Sequence, residues 1–209
     1  MNTQAILDHL ILGINDLDRG VAWVEERTGV RAAWGGVHPG RGTRNALLAL
    51  GPDCYLEIMA PDPAQSSLAW FTQLREMAEP RLITWAVHTS DLSALAQKAR
   101  AAGFETDGPR DGARARPDGK NLSWKLLHLR DNRGGLLPFF IAWGRDSVHP
   151  AWDAPKGCNL VRFVLQSPAA EELKQACQTV GVEIRVEPSE APRMIATVAS
   201  PRGDVEFTS

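Results

Sequence analysis

Residues 7–29 read LDHLILGINDLDRGVAWVEERTG, and this stretch decides the fold. Its first eight residues form a strand-length apolar run interrupted only by Asp8 and His9. Asn15-Asp16-Leu17 then opens a helix, with Asn15 as the residue that accepts hydrogen bonds from free N–H groups. Leu17, Val21 and Val24 share one face of that helix, and Gly29 can end it in the left-handed conformation.

The pattern recurs twice. Residues 82–89 (LITWAVHT) lead into Ser90-Asp91-Leu92 and a helix closing at Gly103. Residues 160–166 (LVRFVLQ) lead into Ser167-Pro168 and a helix closing at Gly181. From leading Leu to closing Gly the spacing is 22, 21 and 21 residues. Ser90 and Ser167 supply the same capping chemistry as Asn15, and Pro168 suits a first helical position. Short strand-like segments follow each helix, so each unit reads β-α-β-β-β, an α+β architecture rather than a parallel doubly wound sheet. The spacing predicts modules at 1–62, 81–144 and 159–209. Between them lie a linker with a helical stretch (63–80) and a breaker-rich linker loop (145–158).

Composition narrows the function. At 209 residues with 44% hydrophobic and 23% charged residues, the chain is an ordinary globular protein. A net charge of −2 argues against nucleic acid as partner, and the longest apolar runs, such as 136–143, are too short to span a membrane. Eighteen of the 23 cationic residues are Arg, the side chain suited to carboxylate and phosphate. Cys54, Cys158 and Cys177 show neither disulfide nor zinc spacing, and the N-terminus does not read as a signal peptide. A reducing, cytoplasmic setting is expected.

LDHLILGI, YLEIMAP (55–61), GGVHPGRGTRNALLALG (35–51), RPDGKNLSWKL (116–126) and LPFFIAW (137–143) together resemble the glyoxalase-like branch of the vicinal oxygen chelate superfamily. HPAWDAP (149–155) extends the likeness more loosely into the third unit. The resemblance implies tandem modules forming a curled mixed sheet around a cleft, helices outside, holding a divalent metal or a bare ligand pocket. It also spans lyases, isomerases, oxygenases and non-catalytic sequestering proteins, so fold leaves the reaction open.

Strand alternation sorts the candidates. Asp8, Leu10 and Leu12 share one face of the first strand, and His9 and Ile11 the other. In 55–61, Leu56 and Ile58 take the helix side, leaving Glu57 on the other. His9 and Glu57 are thereby expected to point together into the cleft as an acid/base pair. They also match the family's metal half-site, for Zn, Mn, Fe, Ni or Co. The second unit departs from that pattern: Thr84 or Trp85 stands at the His position, and 136–143 holds no acid. A third ligand is expected from His88, His128 or Glu206. His38, Arg41, Arg44 and Asn45 in one polar loop, and Arg110, Arg114, Arg116 and Lys120 in another, are expected to hold an anionic oxygenated substrate. Arg162, at the His-like position of the third unit, is assigned the same role, and Trp124 and Trp85 an apolar wall. His149-Pro150 reads as a turn. The resulting expectation is a lyase- or isomerase-type enzyme acting on a small anion. The alternative is a binding protein using the same cleft without turnover. An odd number of modules leaves one sheet face unpaired, so a homodimer is expected.

Overall fold

The computed structural model describes residues 6–69, 71–115, 119 and 121–209. The first module is β1 (Ile6–Gly13), α1 (Leu17–Thr28), β2 (Ala33–His38), β3 (Thr43–Ala49) and β4 (Tyr55–Pro61). The second is β5 (Arg81–His88), α2 (Leu92–Ala101), β6 (Thr106–Ala115), β7 (Asn121–Leu129) and β8 (Phe139–Trp143). After the short helix α3 (Pro150–Asp153) come β9 (Asn159–Ser167), α4 (Ala170–Thr179), β10 (Arg185–Pro188), β11 (Arg193–Ser200) and β12 (Gly203–Thr208).

The helix signals sit one residue later than expected. Asp16, not Asn15, accepts from the Arg19 N–H, and Asp91, not Ser90, from Ala94. Asp is as good an acceptor at this position, and the buried leucines 17 and 92 that follow it fix where each helix turns onto the sheet. The Ser167 hydroxyl accepts from the Ala169 N–H ahead of α4, and Pro168 precedes the helix. Among the described residues of 67–77, only a short 3₁₀ turn forms, Thr72–Glu76.

Eight strands form one mixed sheet in the order β2-β3-β4-β1-β5-β8-β7-β6. The modules join where β1 runs antiparallel to β5, Leu10 opposite Trp85. His9 pairs with Ala86 and Ile11 with Thr84, a reciprocal register that makes His9 and Thr84 equivalent positions of the repeat. Glu57 lies beside Ile11 and Phe139 beside Ala86, so Phe139 stands where Glu57 stands in the first module. The sheet curls until its free edges meet. Arg114 of β6 donates from Nη1 to the Gly35 carbonyl of β2.

Leu10, Leu12, Leu56 and Ile58 pack under α1 on the outer face in one core with α2 and the last four strands. The third module keeps the βαβββ chain order but not the pairing. Its sheet runs β10-β9-β11-β12, with β9 beside its own second strand rather than its fourth. Its apolar side lies on the back of the large sheet, Phe163 against Trp85 and Phe207 against Trp23. The opposite side is polar, with Glu187 bonded to Arg162 and Arg185. The unpaired apolar face behind the expected homodimer is thus covered from within the chain. No helix among the described residues is long and apolar enough to cross a membrane.

Candidate functional site

The concave side of the curled sheet encloses a cavity of about 250 Å³ between the two modules. Both linkers wall it. Leu68, Phe71, Leu74 and Met77 pack beside Ile11 and Met59 at one end. Ala151 and Ala154 cover Leu47, Ala49 and Tyr55 at the other, with Pro150 on the cavity wall.

A β-bulge sets the floor. In the β1–β5 ladder Leu7 pairs with Val87 and His9 with Ala86, which leaves Asp8 unpaired between them. A bulged residue escapes strict alternation. Asp8 turns to its neighbour's ring, and its Oδ1 lies 2.5 Å from His9 Nδ1. Its Oδ2 accepts from Trp143 Nε1 at 2.8 Å and faces His149 Nε2 at 3.2 Å. His149 Nδ1 itself accepts the Ala151 N–H, so the proton of that ring is on Nε2, directed at Asp8. Burial is the largest influence on Asp8 and raises its pKa. Hydrogen bonds from His149 and His9, with the attraction of both rings, outweigh burial and hold the carboxyl well below the usual range. Asp8 is an anion with three donors.

His9 Nε2 faces Glu57 Oε2 at 3.5 Å, both side chains buried. Asn45 Nδ2 donates to Glu57 Oε1 at 2.6 Å, and His38 Nε2 lies 3.8 Å from the same oxygen. Gly35 makes room for this amide: a Cβ there would sit 2.4 Å from Asn45 Oδ1. Burial lowers the His38 pKa against the pull of Glu57, with help from Arg114 and Arg41, so the ring is neutral at pH 7. Burial likewise lowers His128 to about 4.

Rings form a continuous belt around the cavity. From His38 it passes to Trp124, Trp143, His149 and Tyr55, with centroid separations of 6.3, 5.9, 5.6 and 5.6 Å. It continues through His9, Phe139 and His128 at 4.6, 5.4 and 5.1 Å. His9 is stacked on Tyr55 and meets Phe139 edge-on, so its ring has no room to turn.

The sequence profile of the family described as "Glyoxalase-like domain" matches residues 7–203. The chain belongs to the glyoxalase-like domain family. A hypothetical protein from Staphylococcus aureus shares the fold at a TM-score of 0.68 and 19% identity, over 98% of this chain and 85% of that one. A methylmalonyl-CoA epimerase in complex with methylmalonyl-CoA and NH4+ gives 0.51 at 21% identity, over 69% and 99% of the two chains. A Streptomyces coelicolor methylmalonyl-CoA epimerase variant bound to 2-nitronate-propionyl-CoA gives 0.50 at 22% identity, over 67% and 98%. At these identities the likeness is one of fold. No match is found among curated proteins.

In this glyoxalase-like protein the residues do not fit the divalent metal that the sequence resemblance implies. His9 Nε2 and Glu57 form one half-site, but the equivalent positions of the second module hold Thr84 and Phe139. The Phe139 ring occupies the space beside His9. Among the described residues, none of the expected third ligands joins His9 and Glu57 in a set of three. His88 is at the end of β5 opposite Ile6, and Glu206 is exposed in the other sheet near Thr197. His128 is stacked on Phe139. Among the described residues no group of three or more His, Cys, Asp or Glu side chains is placed to hold a metal.

His38, Asn45 and Trp124 line the cavity as expected, together with Arg41 and Arg114. Arg44 does not. It neighbours Asn45 in β3, so alternation sends it to the opposite face, where its buried Nε has no hydrogen-bond partner among the described residues. Trp85 is core, its Nε1 bonded to the Leu136 carbonyl. Arg162 is exposed and paired with Glu187, because the strand order of the third module removes β9 from any position equivalent to β1. Arg110 is exposed and bonded to Asp107. Arg116 and Lys120 lie outside the described residues. Asp8, His149 and Phe71 were not expected at the site. An acid inside an otherwise apolar strand was the available signal for Asp8, since a buried carboxylate needs donors.

Proposed function

We propose that the cavity belongs to a small-molecule enzyme that moves a proton at a carbon next to a carbonyl, chemistry of the isomerase or lyase class. The observation that carries this reading is the line Asp8–His9–Glu57. Asp8 holds the Nδ1 proton, so Nε2 of His9 is left to take a proton from the substrate, and the charge this creates sits against the Asp8 carboxylate. Glu57, steadied by Asn45, is the second proton carrier 3.5 Å away. Arg41, at the wall beside His38, orients the anionic oxygen end of the substrate. No step requires a metal.

The replacement of half the family's polar set by Thr84 and Phe139 also favours a second reading, ligand binding without turnover. Deuterium uptake from D2O, followed by NMR on a panel of small 2-oxo and 2-hydroxy acids, separates the two. Exchange above the protein-free rate that falls at least about 100-fold in both His9→Gln and Glu57→Gln supports proton transfer. Saturable binding with no exchange, or exchange indifferent to both variants, overturns it.

A further inference from the structure

We infer that the ligand of this cavity carries a planar aromatic ring beside its oxygenated end, and that the ring lies against Trp124. The inference deepens the proton-transfer reading and rests on it. The cavity is divided by the repeat. The first module supplies the polar floor of His9, His38, Asn45 and Glu57, whereas the second, besides Asp111, Arg114 and His128, supplies the rings of Trp124, Phe139 and Trp143. Five of the chain's fourteen Phe, Trp and Tyr residues line this one space, Tyr55 and Phe71 being the others. Phe139, with Phe71, Trp124 and Trp143 packed beside it, belongs to a small apolar cluster on the concave side of the sheet, separate from the larger core under the helices, and these rings also face the cavity.

Two backbone features hold the rings there. A Cβ at Gly112 would lie 2.3 Å from Trp124 Nε1, so the indole seats directly on β6. Phe71 keeps a left-handed backbone, φ 55°, a strained state for a bulky residue, while contributing to the cavity wall from the linker. Trp124 and Trp143 meet at 67°, and Phe139 stacks on His128 at 18°. Edge-on and offset faces of this kind select flat partners, because the gain comes from ring quadrupoles as well as buried area. The size agrees. About 250 Å³ lies just below the ~300–1,000 Å³ of drug-sized ligand sites and suits one ring with a short oxygenated chain.

The test compares benzoylformate, cyclohexylglyoxylate and pyruvate by titration calorimetry on the full chain. Benzoylformate has no hydrogen on the carbon next to its carbonyl, so binding is read without turnover. Cyclohexylglyoxylate keeps the ring's carbon count but not its flatness. Benzoylformate is expected to bind about tenfold more tightly than either competitor. Trp124→Ala should remove that preference, and Trp124→Phe should restore most of it. Equal or tighter binding of cyclohexylglyoxylate overturns the inference, as does no binding of any probe, or a preference that survives Trp124→Ala. Benzoylformate selectivity in a protein whose proton exchange ignores His9→Gln would sink the catalytic reading and leave this one standing.

Discussion

Asp8 Oδ1 lies 2.5 Å from His9 Nδ1, and this contact decides which nitrogen of His9 is presented to Glu57 and the cavity. Asp8→Asn keeps size but replaces an acceptor by an amide that can turn its N–H toward the ring and favour the other tautomer. Proton exchange should fall by about 100-fold or more. Nitrogen-15 NMR of the His9 ring should report a proton fixed on Nδ1 in the parent and its loss in the variant. Unchanged ring shifts would refute the assignment.

The same carboxylate gives acid sensitivity a sign. Its folded pKa is depressed below the ordinary carboxyl value of 3.8, so Asp8 contributes stability above that value. The contribution is lost as pH falls through the acid range toward the folded value. Thermal unfolding of Asp8→Asn should begin from a lower Tm at pH 7 and decline less steeply between pH 5 and 3. Parallel curves for parent and variant would exclude Asp8 as a source of that slope.

His128 acts over a different window. Burial lowers its folded pKa to about 4 while the unfolded ring titrates near 6.5, so protonation favours the unfolded chain. Stability is unaffected above pH 6.5 and lost as pH falls from there toward 4. The whole loss is of order 3 kcal/mol, since each pKa unit corresponds to about 1.4 kcal/mol. His128→Gln should flatten the Tm profile across this interval, which differential scanning calorimetry at matched ionic strength would detect.

What was legible in the sequence followed from periodicity, and what was hidden depended on exceptions to it. Alternation along β1 and β4 placed His9 and Glu57 together because both strands pair in regular register at those residues. The same rule put Asp8 under the helix, since a bulge is invisible in a string of letters. Grouping Arg44 and Asn45 in one polar loop places both at the cleft, although adjacent strand residues cannot share a face. Arg162 was misplaced for a deeper reason. Chain order in the third module repeats, but strand order does not, and pairing is set by packing against the rest of the protein. His149 was legible only as a turn, because its partner Asp8 is 141 residues away.

That long-range contact makes His149 a lever on the floor from outside the sheet. It caps α3 through Nδ1 and donates to Asp8 through Nε2, tying the second linker to the β1 bulge. His149→Ala removes one of three donors to Asp8, leaving those of His9 and Trp143. Proton exchange should fall about tenfold, clearly less than for Asp8→Asn, with most of the change in kcat rather than KM. A loss confined to KM would mean that His149 shapes the cavity instead of positioning His9.

Gly35 offers the most specific test of the opposite side of the floor. A Cβ at this position would approach Asn45 Oδ1 to 2.4 Å, and the amide cannot retreat without leaving Glu57. Gly35→Ala should therefore impair exchange nearly as much as Asn45→Ala, although residue 35 carries no functional group. The two substitutions share one cause, so Gly35→Ala combined with Asn45→Ala should cost little more than either alone, a coupling of about 1 kcal/mol or more. Stability should show part of the same coupling, because the double variant removes the closest clash along with the amide and leaves only the approach to Leu47 Cγ at 3.0 Å. Strict additivity, in exchange rate or in Tm, would mean that Gly35 acts through the β2 backbone and not through the orientation of Asn45.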